Sequence, residues 1–309
     1  MKEEIFQVSN EQDGERLDKY LSVIYPDLSR SFFQKLIKDN QILVNDEPKK
    51  ANYKIAADDI VSIHIPDAIE TAIVPEDIPL DILYEDEDVL VVNKPKGMVV
   101  HPSAGHYTGT LVNAIMYHCR DSLSGINGEI RPGIVHRIDM DTTGSLIVCK
   151  NDESHLSIAE QIKEHSCNRI YEGIVVGDVR EDDGTIDAPI GRHPVERRKM
   201  AINEKTGKPA ITHYKVLERF GNYTYMQFKL ETGRTHQIRV HMASIGHPLL
   251  GDALYAHNCP YKHLSGQTLH ARTIGFVHPK TKQYMEFSAP LPEYFEELLQ
   301  KMRSNTSRS

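Results

Sequence analysis

Three short segments of the chain carry side chains whose types and spacing could do chemistry. In the first, residues 131–144, Asp139 follows His136 and Arg137 on a loop that contains proline and glycine. A carboxylate beside two basic residues suits the role of a lone catalytic acid, because a nearby guanidinium holds it ionised. An ordinary turn that contains an aspartate gives the same pattern, so these residues alone leave both interpretations open.

The second segment, residues 169–173, places Tyr171 in a predicted strand. Gly173 lies two positions further on, so it shares one face of the strand with Tyr171 and leaves open space beside the ring. Such space suits an aromatic ring that stacks on a flat ligand. The alternative interpretation is an ordinary tyrosine of the hydrophobic core.

The third segment, residues 230–241, contains Arg234 at the point where a predicted strand gives way to the start of a helix. A guanidinium and the N-terminal end of a helix dipole both favour an anion. Arg234 could therefore pair with a catalytic carboxylate or hold a phosphate. A surface arginine at a turn is the alternative interpretation.

The elements that must position these segments alternate irregularly along the chain. Hydrophobic patterning predicts strands over 89–92, 145–149, 170–176 and 223–230, helices over 156–162 and 238–245, the latter capped by Thr235, and a C-terminal helix over 293–302. No glycine-rich phosphate loop follows any of these strands, which argues against a doubly wound nucleotide-binding fold. The predicted fold class is therefore α+β with a mixed sheet.

A small separate unit is predicted before these elements. Leu17, Tyr20, Leu21 and Ile24 have the spacing of one helix, and Ser29 is a suitable N-cap for a second. Two short strands of alternating pattern follow and end near residue 65. The unit is thus a helix pair followed by a strand pair.

Prolines and acidic residues dominate the stretch that follows this unit, which is typical of a connector. We therefore predict a first domain over residues 14–66, a linker over 67–79, a second domain over 80–300 and a flexible tail over 301–309.

The composition is that of an ordinary globular protein. The chain has 309 residues, of which 39% are hydrophobic, and a formal net charge of −8. No apolar run reaches the roughly 18 residues of a membrane span, and the acidic N-terminus is unlike a signal peptide, so we expect a cytoplasmic protein. Four widely spaced cysteines without a Cys-x-x-Cys pair argue against a disulfide framework and against a thiolate zinc site.

Taken together, the three segments resemble the RluA-type RNA pseudouridine synthases. The chain carries, in this order, HRID at 136–139, RIYEG at 169–173 and ETGRTHQIRVHM at 231–242, with supporting matches NKPKGM at 93–98, VHP at 100–102 and GHPLLGD at 246–252. The resemblance extends from about residue 14 to 298, and its one noticed departure is Ile138, where leucine is frequent. It implies the pseudouridine synthase fold, with a mixed and largely antiparallel sheet.

This resemblance implies an isomerase that detaches uracil from ribose in RNA, rotates it and reattaches it through carbon 5, without cofactor or metal. Asp139 would be the essential carboxylate, which either attacks ribose carbon 1 or removes the proton from ribose carbon 2. Tyr171 would stack on the base and help to remove the carbon 5 proton, and Arg234 would pair with Asp139. Arg137, beside His136 at the RNA, would fill the stack that the flipped uridine vacates.

Two basic regions are expected to bind RNA despite the negative net charge. The N-terminal unit resembles the S-four RNA-binding domain through GERLDKYL at 14–21, SRS at 29–31 and ILVN at 42–45. In that family the two helices present basic side chains to structured RNA, and the matching positions here include Arg16, Arg30, Lys35 and Lys38. Residues 192–208, which include Arg197, Arg198 and Lys199, are expected to form a mobile loop that grips phosphates. In both regions a merely solvated surface is the alternative.

The expected partner is ribosomal RNA or an assembling large ribosomal subunit, because the N-terminal unit and DGTIDAPIG at 183–191 are closest to the type D subgroup, which acts on large-subunit ribosomal RNA. We expect a monomer that binds no membrane. A noncatalytic ribosome-assembly factor is one alternative. A metal-dependent hydrolase is another, with His136 and Asp139 or His236 and His241 as ligands, although the i, i+5 spacing of the latter pair is poor for one helix face.

Overall fold

The computed structural model describes residues 2–25, 30–65, 73–103, 105–120, 122–125, 132–196, 198–256, 261 and 264–306. The predicted cap Ser29 and the predicted RNA contact Arg197 lie outside these residues. The chain divides into two compact units, Met1–Thr71 and Ala72–Ser309. Within the described part of the chain, no helix is both long enough and apolar enough to cross a lipid bilayer.

The small unit is a four-stranded antiparallel sheet with two helices. Its elements are β1 (Lys2–Gln7), α1 (Leu17–Ile24), α2 (Arg30–Lys38), β2 (Ile42–Val44), β3 (Glu47–Pro48) and β4 (Ile60–Ile65), with a short 3-10 turn at Asn10–Gln12. The strand order is β1-β4-β2-β3. Leu17 and Leu21 of α1, Phe33 of α2 and Ile42 of β2 are fully buried in its core, which confirms the predicted helix pair and strand pair.

Strand β1 shows that the small unit begins well before residue 14. It pairs with β4 along its whole length, from Lys2 opposite Ile65 to Gln7 opposite Ile60. The charged sequence Lys-Glu-Glu before Ile5 hides the alternation that marks a strand, and its partner lies more than fifty residues later. The compact unit therefore extends beyond the predicted start at residue 14, because a non-local pairing adds this strand.

The large unit contains eleven strands and four helices among its described residues. The strands are β5 (Ile82–Glu85), β6 (Val89–Lys94), β7 (Thr143–Cys149), β8 (Asn168–Val176), β9 (Asp183–Asp187), β10 (Ile190–Arg192), β11 (Met200–Ile202), β12 (Ile211–Arg219), β13 (Tyr223–Leu230), β14 (Leu269–Val277) and β15 (Tyr284–Ser288), and the helices are α3 (Leu111–Cys119), α4 (Asp152–Lys163), α5 (Gln237–Ser244) and α6 (Glu293–Thr306).

Nine of these strands form one sheet in the order β5-β6-β7-β14-β8-β13-β12-β9, with β15 paired to β14. The β7–β14 pairing is parallel and short, with His270 opposite Thr143 and Ala271 opposite Gly144, whereas the other described pairings of the sheet are antiparallel. Strands β10 and β11 form a separate hairpin. The predicted α+β fold with a mixed, largely antiparallel sheet is confirmed.

The alternation of β6 and β7 explains why helices cover both faces of the sheet. Leu90 and Val92 pack in the cluster that contains Leu111 of α3 and Ile238 of α5, whereas Val89 and its alternate neighbours pack with Ile158 of α4. Helix α6 covers a third cluster, on the side of the sheet that carries Ile174 and Tyr225. Both faces of the central strands are therefore buried, which gives them continuous apolar runs.

Two of the predicted boundaries need correction. The predicted linker ends too late, because Ile73 is buried in the core of the large unit and Asn113 of α3 donates to the carbonyl of Val74 at 2.8 Å. The predicted tail begins too early, because α6 continues to Thr306. Met302 is buried in the cluster under α6, so apolar contact holds the helix beyond residue 300.

Candidate active site

One cavity of about 550 Å³ in the large unit brings five of the predicted site residues together. Its lining includes Asp139, Tyr171, Arg234, Arg137 and His136. Asp139, Arg137 and His136 come from the loop before β7. Tyr171 comes from β8, and Arg234 comes from the turn between β13 and α5. The three chemical segments of the sequence therefore do converge on one site.

The loop that carries Asp139 is fixed by a buried lysine. Lys94, which is 1% exposed, donates to the carbonyl of Met140 at 3.0 Å and to the carbonyls of Pro95 and Met98, each at 2.8 Å. Burial lowers the pKa of Lys94 to about 7, although the charges of Asp141 and Asp139 oppose that shift. The NKPKGM segment thus holds the backbone next to the candidate catalytic carboxylate.

A glycine immediately after this loop allows the sheet to close behind it. Gly144 has a φ of +111°, and a Cβ atom there would lie 2.2 Å from the carbonyl oxygen of Ala271 on β14. Only glycine fits both the backbone conformation and this close approach. The parallel pairing of β7 with β14 next to the site therefore depends on Gly144.

The carboxylate of Asp139 has one oxygen held and one oxygen open. Arg239 Nη1 donates to Asp139 Oδ2 at 2.8 Å, and His236 Nε2 lies 3.9 Å from the same oxygen. No hydrogen bond from the described residues reaches the other oxygen, Oδ1, and the side chain is 20% exposed. The arrangement keeps Asp139 oriented and leaves one oxygen available for reaction.

The predicted pairing of Arg234 with Asp139 is wrong. Arg234 Nε donates instead to the carbonyl of Pro209 at 2.9 Å. Arg239 takes the predicted place, and Asp252 holds it through two hydrogen bonds of 2.7 and 2.9 Å. Because Arg234 lies in the turn before α5 while Arg239 lies on its first, buried turn, only the latter reaches the carboxylate.

The turn before α5 also differs from the prediction in its cap. The N-cap residue is His236, in the left-handed conformation with φ of 57°, and not Thr235. Tyr255 Oη accepts a hydrogen bond from the backbone N–H of Met200 at 2.8 Å and is hydrogen-bonded to His236 Nδ1 at 2.9 Å. The other ring nitrogen, Nε2, faces Asp139. Burial lowers the pKa of His236, although the charge of Asp139 opposes that shift.

Tyr171 lines the cavity as a buried, neutral phenol. Its side chain is 8% exposed and lies opposite Phe228 of β13. Burial raises the pKa of Tyr171; the charge of Arg169 opposes that rise and the charge of Asp139 adds to it. The phenol therefore carries its proton near neutral pH.

His136 is a structural member of the cavity wall. Its Nε2 accepts the backbone N–H of Ile147 at 2.9 Å, which ties the catalytic loop to the middle of β7. Burial lowers the pKa of His136 to about 3, and the charge of Arg169 adds to the shift. The ring is thus a neutral acceptor that supports the loop.

His136 makes the stability of the chain depend on pH. Because the native ring resists protonation until about pH 3 while the unfolded chain binds that proton near pH 6.5, the free energy of unfolding should fall as the pH is lowered from 6.5 towards 3. Urea denaturation at pH 7 and pH 4.5 measures this loss. His136→Gln, which keeps an acceptor for Ile147 but has no proton to bind, should lose less stability between the two values. An equal loss in the two proteins would contradict the assignment.

Arg137 lies at the exposed side of the cavity. The side chain is exposed, and its Nη1 lies 3.4 Å from His101 Nε2. Arg137 thus presents an exposed guanidinium on the same loop as Asp139.

Two of the basic residues of the small unit, Arg16 and Arg30, are anchored to one buried carboxylate. Asp18, fully buried, accepts hydrogen bonds from Arg16 and Arg30 at 3.0–3.1 Å and from Gln34 at 2.7 Å. Burial alone would raise the pKa of Asp18, but these three donors hold it well below its usual range. Arg16 and Arg30 remain 46% exposed. Both can therefore reach a phosphate while staying anchored to Asp18.

The basic segment 192–208 is partly paired in a hairpin and is not a loop throughout. Strands β10 and β11 pair from Ile190 opposite Ile202 to Arg192 opposite Met200. Lys199 pairs with Glu196 at 3.1 Å, and Arg198 is exposed. The bond from Met200 to Tyr255 connects this hairpin to the side chain that orients His236.

One of the two histidines considered for a metal site, His241, has both ring nitrogens hydrogen-bonded to the protein. His241 Nδ1 is hydrogen-bonded to Thr212 and its Nε2 to the carbonyl of Ala188. A separate group of Asp86, Asp88 and His278 has ligand atoms within 4.8 Å of one another. His278 Nδ1, however, accepts hydrogen bonds from two backbone N–H groups, and its Nε2 is hydrogen-bonded to Asp86. Both ring nitrogens of His278 are therefore used in hydrogen bonds that stabilise the turn after β14.

Sequence reasoning missed Arg239, Asp252 and the N-cap position of His236. The first two residues lie inside segments that the family resemblance had already selected, ETGRTHQIRVHM and GHPLLGD. A buried arginine on the first turn of a helix, with an aspartate following a turn nearby in sequence, was the available signal. Residue types alone could not show which of the two arginines faces inward.

Comparison with family models gives two matches. Residues 88–244, half of the chain, match the model described as RNA pseudouridylate synthase, and residues 15–61 match the S4 domain. The first match contains Asp139, Tyr171 and Arg239. The second covers both helices of the small unit.

Known proteins resemble this chain over nearly its whole length. A Bacillus subtilis protein named "Uncharacterized RNA pseudouridine synthase YlyB" is 52% identical, over 96% of this chain and 97% of its own. The Zymomonas mobilis "Ribosomal large subunit pseudouridine synthase D" is 45% identical over 98% of both chains. The solved structure of "Human RNA Pseudouridylate Synthase Domain Containing 1" has a TM-score of 0.56 at 26% identity, over 78% of this chain and 98% of its own.

Proposed function

The chain belongs to the RNA pseudouridylate synthase family, and from this premise we propose that it converts specific uridines of large-subunit ribosomal RNA into pseudouridine, with Asp139 as the catalytic carboxylate. The observation that carries the proposal is the cavity in which Asp139 has one oxygen held by Arg239 and the other open, beside Tyr171. The other residues of the cavity can be assigned roles from what each step of the isomerisation requires.

The first step breaks the bond between N1 of uracil and carbon 1 of ribose. The open oxygen of Asp139 either forms a bond to ribose carbon 1 or takes the proton from ribose carbon 2, and the bonding electrons pass to the base. Arg239 holds Asp139 in a fixed direction through a charge-assisted hydrogen bond of 2.8 Å. His236 Nε2 lies 3.9 Å from the oxygen that Arg239 holds.

The second step needs a pocket that holds the free base. Apolar side chains of the cavity, such as Ile138, Leu230 and Leu269, limit the access of water that would hydrolyse the intermediate. Tyr171 is placed to stack on the base. As a neutral phenol it can act as a relay, which takes the carbon 5 proton while its own hydroxyl proton passes on to N1 of the base.

The flipped uridine leaves a gap in the RNA, for which Arg137 is the candidate occupant. Extrusion of a base costs a few kcal/mol of stacking and pairing free energy. An exposed guanidinium has the planar shape that can stack in the vacated position.

The proposed substrate rests on two supports. The S4 match at residues 15–61 covers the basic helices with Arg16, Arg30, Lys35 and Lys38, and relatives such as the Zymomonas mobilis protein are named for the large ribosomal subunit. An enzyme with this substrate would act where ribosomes assemble, in the cytoplasm. A monomer suffices, because one chain supplies every side chain that the proposed reaction uses.

The basic segment 192–208 is the proposed phosphate contact of the large unit. We expect the variant with Arg197, Arg198 and Lys199 all changed to alanine to bind RNA more weakly, with the slope of log Kd against log salt reduced by about 2, since each lost phosphate contact changes it by about 0.7–0.9. Titration of labelled RNA at several salt concentrations measures the slope. The matched control changes Lys229, Lys280 and Lys301, three exposed lysines outside the cavity, and an equal effect there would contradict a local contact.

Mapping of pseudouridine in large-subunit ribosomal RNA from cells that lack the protein tests the proposed function. Specific pseudouridines should disappear and should return with the wild-type protein but not with Asp139→Asn. Unchanged ribosomal RNA would reject the proposed substrate, and transfer RNA would then be mapped in the same cells. RNA binding by the purified protein without isomerisation of any RNA would favour the noncatalytic alternative.

A further inference from the structure

Arg169 is a buried arginine in the wall of the cavity to which no role is yet attached. It lies on β8 two residues before Tyr171, so the two side chains share one face of the strand. It lines the cavity that contains Asp139 and is 6% exposed. A full positive charge is therefore held deep in the site, next to the ring that is placed to stack on the base.

The guanidinium of Arg169 is only partly satisfied by the protein. Its Nη2 donates to the carbonyl of Glu231 at 3.1 Å, whereas its Nε is buried without a hydrogen-bond partner, and among the described residues no carboxylate pairs with it. Arg239, the other buried arginine of the cavity, has two carboxylate partners. Because a buried and unpaired charge is costly, a ligand with an acceptor oxygen is the natural partner for Arg169.

A glycine makes room for this guanidinium. A Cβ atom on Gly233 would lie 2.8 Å from Arg169 Nη1, so a larger residue at 233 would displace the head group. Glu231 and Gly233 both belong to the turn before α5, which also carries Arg234. The same turn therefore accepts one hydrogen bond from Arg169 and leaves space beside its remaining donors.

We infer that Arg169 donates a hydrogen bond to a carbonyl oxygen of the flipped uracil and stabilises the negative charge that the base gains when it leaves the ribose. This inference rests on the proposed function. When the N1–carbon 1 bond breaks, its electron pair passes to the ring and is shared with the carbonyl oxygens, while Asp139 forms the new bond or takes the ribose proton. Carbon 5 then bonds to ribose carbon 1, while the bond from Asp139 to carbon 1 breaks or Asp139 returns the proton to ribose carbon 2. Carbon 5 finally loses its proton, and N1 gains one. Arg169 keeps its own proton throughout.

The depth of Arg169 favours the base over the RNA backbone as its partner. A phosphate of the backbone stays near the exposed side of the cavity, where Arg137 lies, whereas a flipped base enters beside Tyr171. A buried donor acts there in a site from which water is excluded, where a hydrogen bond to a developing anion is strongest. Arg169 is thus assigned to the base and Arg239 to the carboxylate.

The test compares Arg169→Met with the wild type in single-turnover reactions on one RNA that contains either uridine or 5-fluorouridine at the target position. Nuclease digestion and chromatography measure the loss of the N-linked nucleoside. The variant should react about 10²-fold more slowly with uridine, the usual effect of removing one donor to a developing oxyanion. Fluorine withdraws electrons and stabilises the departing base, so the deficit with 5-fluorouridine should be at least fivefold smaller. Arg169→Lys should recover part of the rate.

Several outcomes would overturn the inference. Equal deficits on the two RNAs would assign Arg169 to structure, and weaker RNA binding with an altered salt slope would assign it to a phosphate. If Arg169→Met does not fold, Gly233→Ala serves as the second variant, since it moves the head group without removing the charge, and it should show the same substrate dependence. The activity of the wild type is measured on both RNAs first. A wild type that reacts with neither RNA rejects the proposed function and the inference with it. If the wild type is active, the results for the variants test the inference alone.

Discussion

Replacing Asp139 by asparagine is expected to lower the single-turnover rate of uridine isomerisation on the order of 10⁴-fold, the scale of losing an essential nucleophile or base. The amide has almost the same size and can still accept a hydrogen bond from Arg239, which lies 2.8 Å away. It can neither attack ribose carbon 1 nor accept the proton of ribose carbon 2. The substitution therefore removes the reactive oxygen in either route while it preserves the shape of the cavity.

RNA affinity separates this chemical effect from a loss of binding. Asp139 lies in a cavity and carries a negative charge, so its removal should leave the Kd for substrate RNA unchanged within about threefold or tighten it slightly. Pseudouridine formation is followed by chromatography of digested RNA, and binding is followed by titration of the same RNA. A rate within tenfold of the wild type would reject Asp139 as the catalytic carboxylate. Asp141→Asn, a neighbouring carboxylate that is outside the cavity lining, is the matched control and should retain most of the activity.

The sequence was sufficient where function depends on short, contiguous segments. Local residue types made Asp139 on its loop and Tyr171 on its strand candidates, the family resemblance selected them, and the structure brings both to one cavity. The central strands were predictable for a related reason. Burial on both faces makes β6 and β7 continuous apolar runs, which a reader of the sequence recognises without knowing their partners.

What could not be predicted depends on distant partners. Strand β14 contains the buried His270, whose Nδ1 bonds to Thr143 and whose Nε2 bonds to the carbonyl of Ala289, so a polar residue stands in the core of the sheet. Strand β1 has a charged sequence and forms because it pairs with β4. The choice between Arg234 and Arg239 likewise depends on where α5 begins and on Asp252, thirteen residues after Arg239.

The ion pairs of Arg239 give the second large prediction. Arg239→Met should lower the isomerisation rate about 10²- to 10³-fold, because Asp139 loses the charged donor that orients it. The same substitution leaves Asp252 buried without its partner, which should lower the free energy of unfolding by about 3–5 kcal/mol. Rate and stability therefore fall together, and each must be measured separately.

A second substitution separates the two effects. In the double variant Arg239→Met with Asp252→Asn, the buried charge is removed along with its partner, so much of the lost stability should return. The rate should stay low, since nothing replaces the hydrogen bond to Asp139. Recovery of the rate together with the stability would mean that Arg239 acts only by holding the fold.

Arg234→Met is the matched control for Arg239, because the two arginines lie five residues apart in one motif and both line the cavity. Arg234 is partly exposed and donates to the carbonyl of Pro209 instead of a carboxylate. Its removal should therefore cost less than tenfold in single-turnover rate at saturating RNA and should not unfold the chain. If Arg234→Met instead lost as much rate as Arg239→Met, the catalytic ion pair would have to change partners when RNA binds, and the geometry of the free protein would not be that of the reacting complex.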